Sequence, residues 1–336
     1  MSERRWFVVV LLIATSWMPG HVERIPAQQI PDPNFDATVA HPAYTASHPR
    51  VAIDEAHKNI HTAGGLFKPF ADLARNDGYD VVANTAKFTR DSLQGYDVLV
   101  ISNAVGELEN DDNHSTPAFT HPECDAVYEW VGKGGALFLI ADHGPMGDAA
   151  APLAQRFGVT LGNGFVSDSN PSNFTDNDPT ELVFSAQNLL LGEHPITRGR
   201  DQSEQLHRLV AFKGESVTIP RGATAILSLS RTTGEVPTRG AAQLLFVDDV
   251  AKAQANRESA ATKWPVGDRA MAIAFLLGRG RVVISGEAGM ITAQVFKKRD
   301  KNGTEALVGK MGMDVQGNDD RQYVLNALHW LSGVLK

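Results

Sequence analysis

The chain has 336 residues, 43% of them hydrophobic and 21% charged, enough for one large α/β domain or two ordinary ones with a full core. A formal net charge of −8 with no lysine/arginine block argues against nucleic acid as a partner. Cys124 is the only cysteine, so an intramolecular disulfide and a multi-cysteine zinc or iron–sulfur site are excluded.

At the start, Arg4 and Arg5 precede "WFVVVLLIATSWM", an apolar run of signal-peptide length that is short for a bilayer span. Ala14, Thr15 and Ser16, or later Ala27, offer a cleavage site, and a polar, proline-rich stretch follows. The expectation is a signal peptide over 1–27 and a linker over 28–49. The mature protein would then be exported, periplasmic or extracellular, with no stable membrane span.

From residue 50 a single domain is expected, running to 336. "RVAID" reads as a strand and "LFKPFADLARNDG" as a helix closed by Gly78. "YDVVANT" and "YDVLVISNA" are two further strands. "HPECDAVYEWVGKGG" is a helix ending in glycines, and "ALFLIADHG" a strand apolar enough to be covered on both faces. Strand–helix repetition of this kind predicts an α/β fold with an open, mostly parallel sheet and helices on both faces. Residues 163–205 are rich in Asn, Asp, Ser and Pro and read as a long inserted surface loop. The runs "ATAILSLS" and "AAQLLFVDD" follow, then "AMAIAFLLGRGRVVISGEAGM", which has the shape of a hairpin. "NDDRQYVLNALHWLSGVL" closes the chain as an amphipathic helix.

Ligands of open parallel sheets bind beyond the carboxyl ends of the strands. Three strands here end in polar clusters: Asp54-Glu55-Ala56-His57-Lys58-Asn59-Ile60-His61, Asp142-His143-Gly144-Pro145, and Gly286-Glu287-Ala288-Gly289. His57 and His61 would share one face of a helix starting near residue 56, although "HKNIH" lacks the glutamate of the HExxH motif. With Asp142 and His143 they form a donor set suited to zinc or another divalent ion. Glu55 or Glu287 would then move a proton, with His143 also placed in the catalytic group, and Asp54, Asn59 and Asp142 would contact substrate.

Plainer readings stand beside these. Asp54 is also a common helix cap, and His143 before Gly-Pro also reads as a turn residue. Asp111, Asp112 and His114 read as a solvated charged loop, and "HPITRG" as a turn with His194 a lesser candidate. Cys124 lies within a helix, where it reads as a packing group and not a nucleophile. G-x-S-x-G, P-loop and G-x-G-x-x-G signatures are absent.

The succession "GKGGALFLIADHG", "HPITRG", "GRGRVVISGEAGM" and "NDDRQYVLNALHWLSG" resembles the class I glutamine amidotransferase-like superfamily. Within it the likeness is to exported proteins with a DUF4350-type domain, related to ThuA-like and to gliding-motility and ABC-transporter-associated domains. The resemblance covers roughly residues 50 to 336 and implies a flavodoxin-like, amidotransferase-like fold. In amidotransferases the central strand delivers a nucleophilic cysteine on a sharp turn. Here that turn is "ADHGP", so a thiol mechanism does not carry over, while the first-strand cluster and "ADHG" are expected to face each other. The functional expectation is an exported hydrolase-like protein with a polar, metal-binding pocket. The resemblance to ThuA-like proteins implies a small or carbohydrate-like substrate. The alternative is a non-catalytic ligand-binding or assembly module.

Overall fold

The computed structural model describes residues 28–108, 114–175, 180–238, 244–245, 249–299 and 304–336. The expected signal peptide, together with Asp111 and Asp112, lies outside the described residues. Among the described residues no helix is long and apolar enough to cross a membrane.

In chain order the first half comprises β1 (Gln28–Pro31), β2 (Arg50–Asp54), α1 (Lys68–Asn76), β3 (Asp80–Asn84), β4 (Val98–Ser102), α2 (His121–Gly132), β5 (Ala136–Ile140) and α3 (Met146–Arg156). Next come β6 (Gly164–Asp168), β7 (Glu181–Ser185), α4 (Pro195–Arg198), β8 (Arg208–Phe212), β9 (Thr224–Ser228) and β10 (Thr233–Pro237). The chain ends with α5 (Val250–Lys263), β11 (Ala270–Leu277), β12 (Gly280–Ser285), β13 (Ala293–Arg299), β14 (Glu305–Gly312) and α6 (Asp320–Leu331).

The protein is an α/β fold around a mixed seven-stranded sheet of order β3-β2-β4-β5-β12-β11-β9. The five strands from β3 to β12 pair in parallel, whereas β11 runs antiparallel to both β12 and β9. The antiparallel step follows from the Gly278-Arg279 turn, which is too short for a crossover and folds β11 back on β12.

Strands β4 and β5 are buried along their whole length, and their alternate residues enter different cores. Val98, Val100, Phe138 and Ile140 join Phe70 and Leu73 of α1 and Val324 and Leu328 of α6. Leu99, Ile101, Leu137 and Leu139 join Val127 and Val131 of α2 and Leu153 of α3. Each such Leu, Ile or Phe contributes roughly 1.5–3 kcal/mol by leaving water. Helix α1 stops at Gly78, whose φ of 94° and close approach to the Tyr44 carbonyl leave no room for a Cβ.

Three readings of the sequence are corrected. Residues 163–205 are not a structureless excursion: β6 pairs with β10, and β7 forms a hairpin with β8. Their polar residues serve buried turns, as where Asp168 accepts from Asn173 and from the hydroxyls of Ser230 and Thr233. No helix begins near residue 56, because residues 55–67 form a chain of turns tied to the end of β4. Helices α3 and α5 were not foreseen. Gly147 and Pro152 disguise the first, and the second is polar along most of its length, burying only Ala253, Arg257 and Ala260. Residues 28–49 lie along the domain, with β1 on β13 and Tyr44 edge-on to Tyr79.

Candidate functional site

The carboxyl edge of the sheet is organised by register. Ser102 of β4 and Ser285 of β12 both pair with Ile140 of β5, so the residues that follow leave the sheet at one level. The departing chains are stitched together: Asn103 N–H donates to the Ile140 carbonyl (3.0 Å), Ala141 N–H to the Ser285 carbonyl (3.0 Å), and Asp142 N–H to Asn103 Oδ1 (3.0 Å). Lys58 (φ 51°), Asn103 (46°), Asn163 (59°) and Lys213 (69°) adopt the left-handed conformation in the loops around this edge. Residues with a Cβ occupy that region at a cost, Asn the least, and such strain concentrates at functional sites.

Asp142 and His143 stand at the centre. Both are partly exposed by surface area yet densely enclosed by protein atoms. Burial pushes the Asp142 carboxyl up to about 7, against the opposing pull of the His143 and Ala288 N–H groups, the Asn103 side chain and the Lys213 charge. Behind it Glu287, fully buried, is raised to about 8 by burial and then by the charge of Asp142. Glu287 accepts from the N–H groups of Gly289 (2.5 Å) and Met290 (2.8 Å), so successive amides from 288 to 290 serve the two carboxyls.

Burial holds His143 down to about 4, and its ring stacks on Phe165 at 4.1 Å between centroids. Its Nδ1–H donates to the Gly144 carbonyl (2.9 Å), which leaves the Nε2 lone pair as an acceptor. Two carboxyls lie deeper. Glu215 accepts from Asn163 N–H (2.5 Å) and is pushed well up by burial, Glu235 and Asp142, with Oε1 buried and unpartnered. Glu235 takes hydrogen bonds from Ser216 Oγ and from Gly164 N–H (2.9 Å), and burial raises it too.

The first-strand cluster serves a different purpose. His57 is buried, with Nδ1 2.8 Å from Asp54 Oδ2 and Nε2 2.9 Å from Glu123 Oε1, and its ring lies between Phe88 and Phe119 at 4.6 Å from each. Both ring nitrogens are thus engaged by carboxyl oxygens. Burial pushes Glu123 up, but the bonds from His57 and Thr120 outweigh it and hold the carboxyl at about 2. Asn59 braces the loop, accepting from His57 N–H (3.1 Å) and donating to the Ser102 carbonyl (3.2 Å). Glu55 accepts from Ala63 N–H (2.8 Å). His61, kept neutral by burial at about 3, pairs through Nδ1 with Ser102 Oγ (2.8 Å) and stacks on Phe67.

Among the described residues no three His, Cys, Asp or Glu side chains converge as a metal-holding group. Of the set His57, His61, Asp142 and His143, His57 has both nitrogens on carboxyl oxygens and so none to offer a zinc ion, whereas His61 has its Nδ1 on a hydroxyl. Asp142, His143 and Glu287 are brought together; Asp54, His57 and Asn59 are hydrogen-bonded to one another, in a loop that Ile60 N–H ties to the Asn103 carbonyl. His194 caps α4, its Nδ1 accepting from Ile196 N–H (3.2 Å). His114 pairs with Asp148 (2.6 Å). Cys124 is buried in α2, its thiol pushed up to about 11 by burial and the neighbouring Glu123 charge. Sequence reasoning missed Lys213 and Glu215, which follow β8 in "AFKGES" and carry the same signal as the others, an apolar run ending in charge.

No protein-family model matches the sequence, and no curated protein matches it. Among solved structures, the mmIFT52 N-terminal domain aligns with 84% of this chain and 97% of its own at a TM-score of 0.55 and 14% identity, a likeness of fold alone. A ThuA-like protein from Bacteroides uniformis covers 87% of this chain and 95% of its own at 16% identity and a TM-score of 0.39. A GMP synthase-type protein from Thermoplasma acidophilum covers 86% and 96% at 8% identity and a TM-score of 0.40.

Proposed function

We propose that the carboxyl edge of the sheet is an acid–base site that hydrolyses a polar, carbohydrate-like small molecule, on a scaffold of amidotransferase-like type without the thiol. The observation that supports it is the turn after β5, where Asp142, with a carboxyl near 7, stands beside a neutral His143 and the Lys213 charge. A group that titrates near neutral pH is the effective proton carrier. Ionised Asp142 takes a proton from water as its oxygen bonds to the electrophilic carbon, then returns that proton to the leaving group. His143 Nε2 accepts a substrate hydroxyl, and Lys213 favours negative charge developing in the transition state. No metal is needed for these steps.

A second reading, a ligand-binding module without turnover, draws on Glu287. It is wholly buried with both oxygens engaged, so it leaves Asp142 as the accessible member of the pair. One experiment separates the two. A panel of glycosides, esters and amides is assayed with wild type, Asp142→Asn and His143→Ala. Turnover by wild type and a loss of about 100-fold or more in kcat for Asp142→Asn support hydrolysis. Binding without turnover supports the module, and Asp142→Asn at full rate rejects the acid–base assignment.

A further inference from the structure

Beside the Asp142–His143 turn lies an open cavity of about 440 Å³, lined by His114, Asp148, Asn163, Glu235, Pro237 and Trp264, among others. That volume lies within the usual range of small-molecule sites, roughly 300–1,000 Å³. The cavity adjoins the turn. Gly144, next to His143, is packed against the Asn163 carbonyl so closely that a Cβ would lie 2.9 Å from it, and the His143 ring stacks on Phe165, which follows the lining residue Gly164.

The walls are built, not incidental. Glu235 N–H donates to the Trp264 carbonyl (2.9 Å) and Trp264 N–H to the Ala260 carbonyl (2.8 Å), which pins the backbone carrying the indole to the strand that carries the carboxyl. The Glu235 carboxyl occupies the space a side chain would fill at Gly162 and Gly164, so only glycine at both positions lets it reach the cavity. Burial favours its protonated form, which can donate as well as accept. Asn163 Oδ1 is committed to Asp148 N–H (3.1 Å), whereas its Nδ2 has no protein partner among the described residues. Asp148 Oδ2 is bound to His114 Nδ1.

A half-buried indole beside a rim of amide donor, carboxyls and imidazole complements one kind of ligand. A polyhydroxylated ring has an apolar C–H face to lie on the indole and hydroxyls at its edge to exchange hydrogen bonds with the rim. Among the described residues the lining itself carries no lysine or arginine to pair with an anion. We infer that this cavity is the subsite for a neutral polyhydroxylated ring, a sugar or cyclitol, with Trp264 as its apolar wall and Asn163, Asp148 and Glu235 as its hydrogen-bonding rim. That the ring belongs to the substrate rests on the acid–base reading of the neighbouring turn; that it binds here does not.

The test titrates the full chain with neutral monosaccharides, short oligosaccharides, inositol and, as a charged control, sugar phosphates, followed by ligand-observed NMR and indole fluorescence. Neutral rings should bind wild type and Asp142→Asn alike. Trp264→Ala should weaken them about tenfold or more, with Trp264→Phe recovering much of the loss. Asn163→Asp keeps the acceptor for Asp148 N–H, removes the spare donor and should also weaken binding, which covers the case where Trp264→Ala fails to fold. Unchanged affinity in Trp264→Phe, Trp264→Ala and Asn163→Asp, a preference for sugar phosphates, or no binding of neutral rings by wild type overturns the inference. Ring binding lost in Trp264→Ala, alongside full turnover in Asp142→Asn, would sink the acid–base reading and leave the subsite standing.

Discussion

Asp142 and Glu287 hold matched positions, each two residues beyond the register-paired Ile140 and Ser285 on neighbouring parallel strands. The pairing itself places two carboxyls side by side under protein, and each makes ionisation of the other harder.

That relationship has a pH signature. Folded-state values of about 7 and 8 lie above the ordinary 3.8 and 4.5, so the native state holds protons that the unfolded chain releases. Their contribution is fully present below the unfolded values and is lost as pH rises through the folded ones. His143, His61 and His194, held down by burial, act in the opposite sense below the ordinary 6.5, so total stability is a poor probe. The difference between wild type and Asp142→Asn isolates the carboxyl. Melting midpoints taken from about pH 5 to about pH 8 should shift in favour of the variant as pH rises. A constant difference across the range would show that Asp142 ionises like an exposed aspartate.

How much of this was legible in sequence depends on the element. Strands β2, β5 and β12 announced themselves as apolar runs ending in polar and charged clusters, and two of the three flagged ends, at Asp142 and Glu287, do meet. At the third end the expected helix was misjudged. A histidine pair four apart says nothing about helix when the chain between them turns to meet Asn103 and Ser102, contacts that are distant in sequence. Lys213, Glu215, Glu235 and Trp264 were missed for a related reason. They lie beyond the region read as an excursion, after β8, on β10 and just past the polar helix α5, and only the β6–β10 pairing brings Glu235 to Asn163 and Gly164.

His194 offers a test of a purely structural histidine. Its side chain and that of Thr197 cap α4 reciprocally, and its ring stands edge-on to Trp330 at 4.9 Å. His194→Ala should cost about 1 kcal/mol of stability, as loss of a cap does, and leave ligand affinity unchanged. Loss of binding without loss of stability would mean that the "HPITRG" turn belongs to the site.

Cys124 should prove inert. Its thiol is buried among α2 packing residues and held protonated, so native protein should resist alkylation near pH 8, as mass spectrometry after iodoacetamide would show. Cys124→Ala should cost about 1 kcal/mol or less and leave any turnover intact. Rapid labelling with loss of activity would restore a thiol mechanism.

The last prediction concerns His57, whose ring lies between Asp54 and Glu123 with both side chains of the Asp54 pair out of water. Burying this polar group is tolerable because both ring nitrogens and most oxygens are satisfied: Asp54 also accepts from Ala56 N–H, and Glu123 from Thr120. Removing the ring leaves two carboxyls without their partner across a hole between Phe88 and Phe119, so His57→Ala should destabilise by about 3–5 kcal/mol. Glu123→Gln, which keeps shape and one acceptor, should cost less. A chelator should leave the wild-type midpoint unmoved, since both ring nitrogens are already engaged by carboxyl oxygens. Urea denaturation of the three proteins, with and without chelator, decides the matter. A His57→Ala variant as stable as wild type would show that the cluster contributes little, and a wild type that melts earlier once chelated would show that a histidine here is a metal ligand.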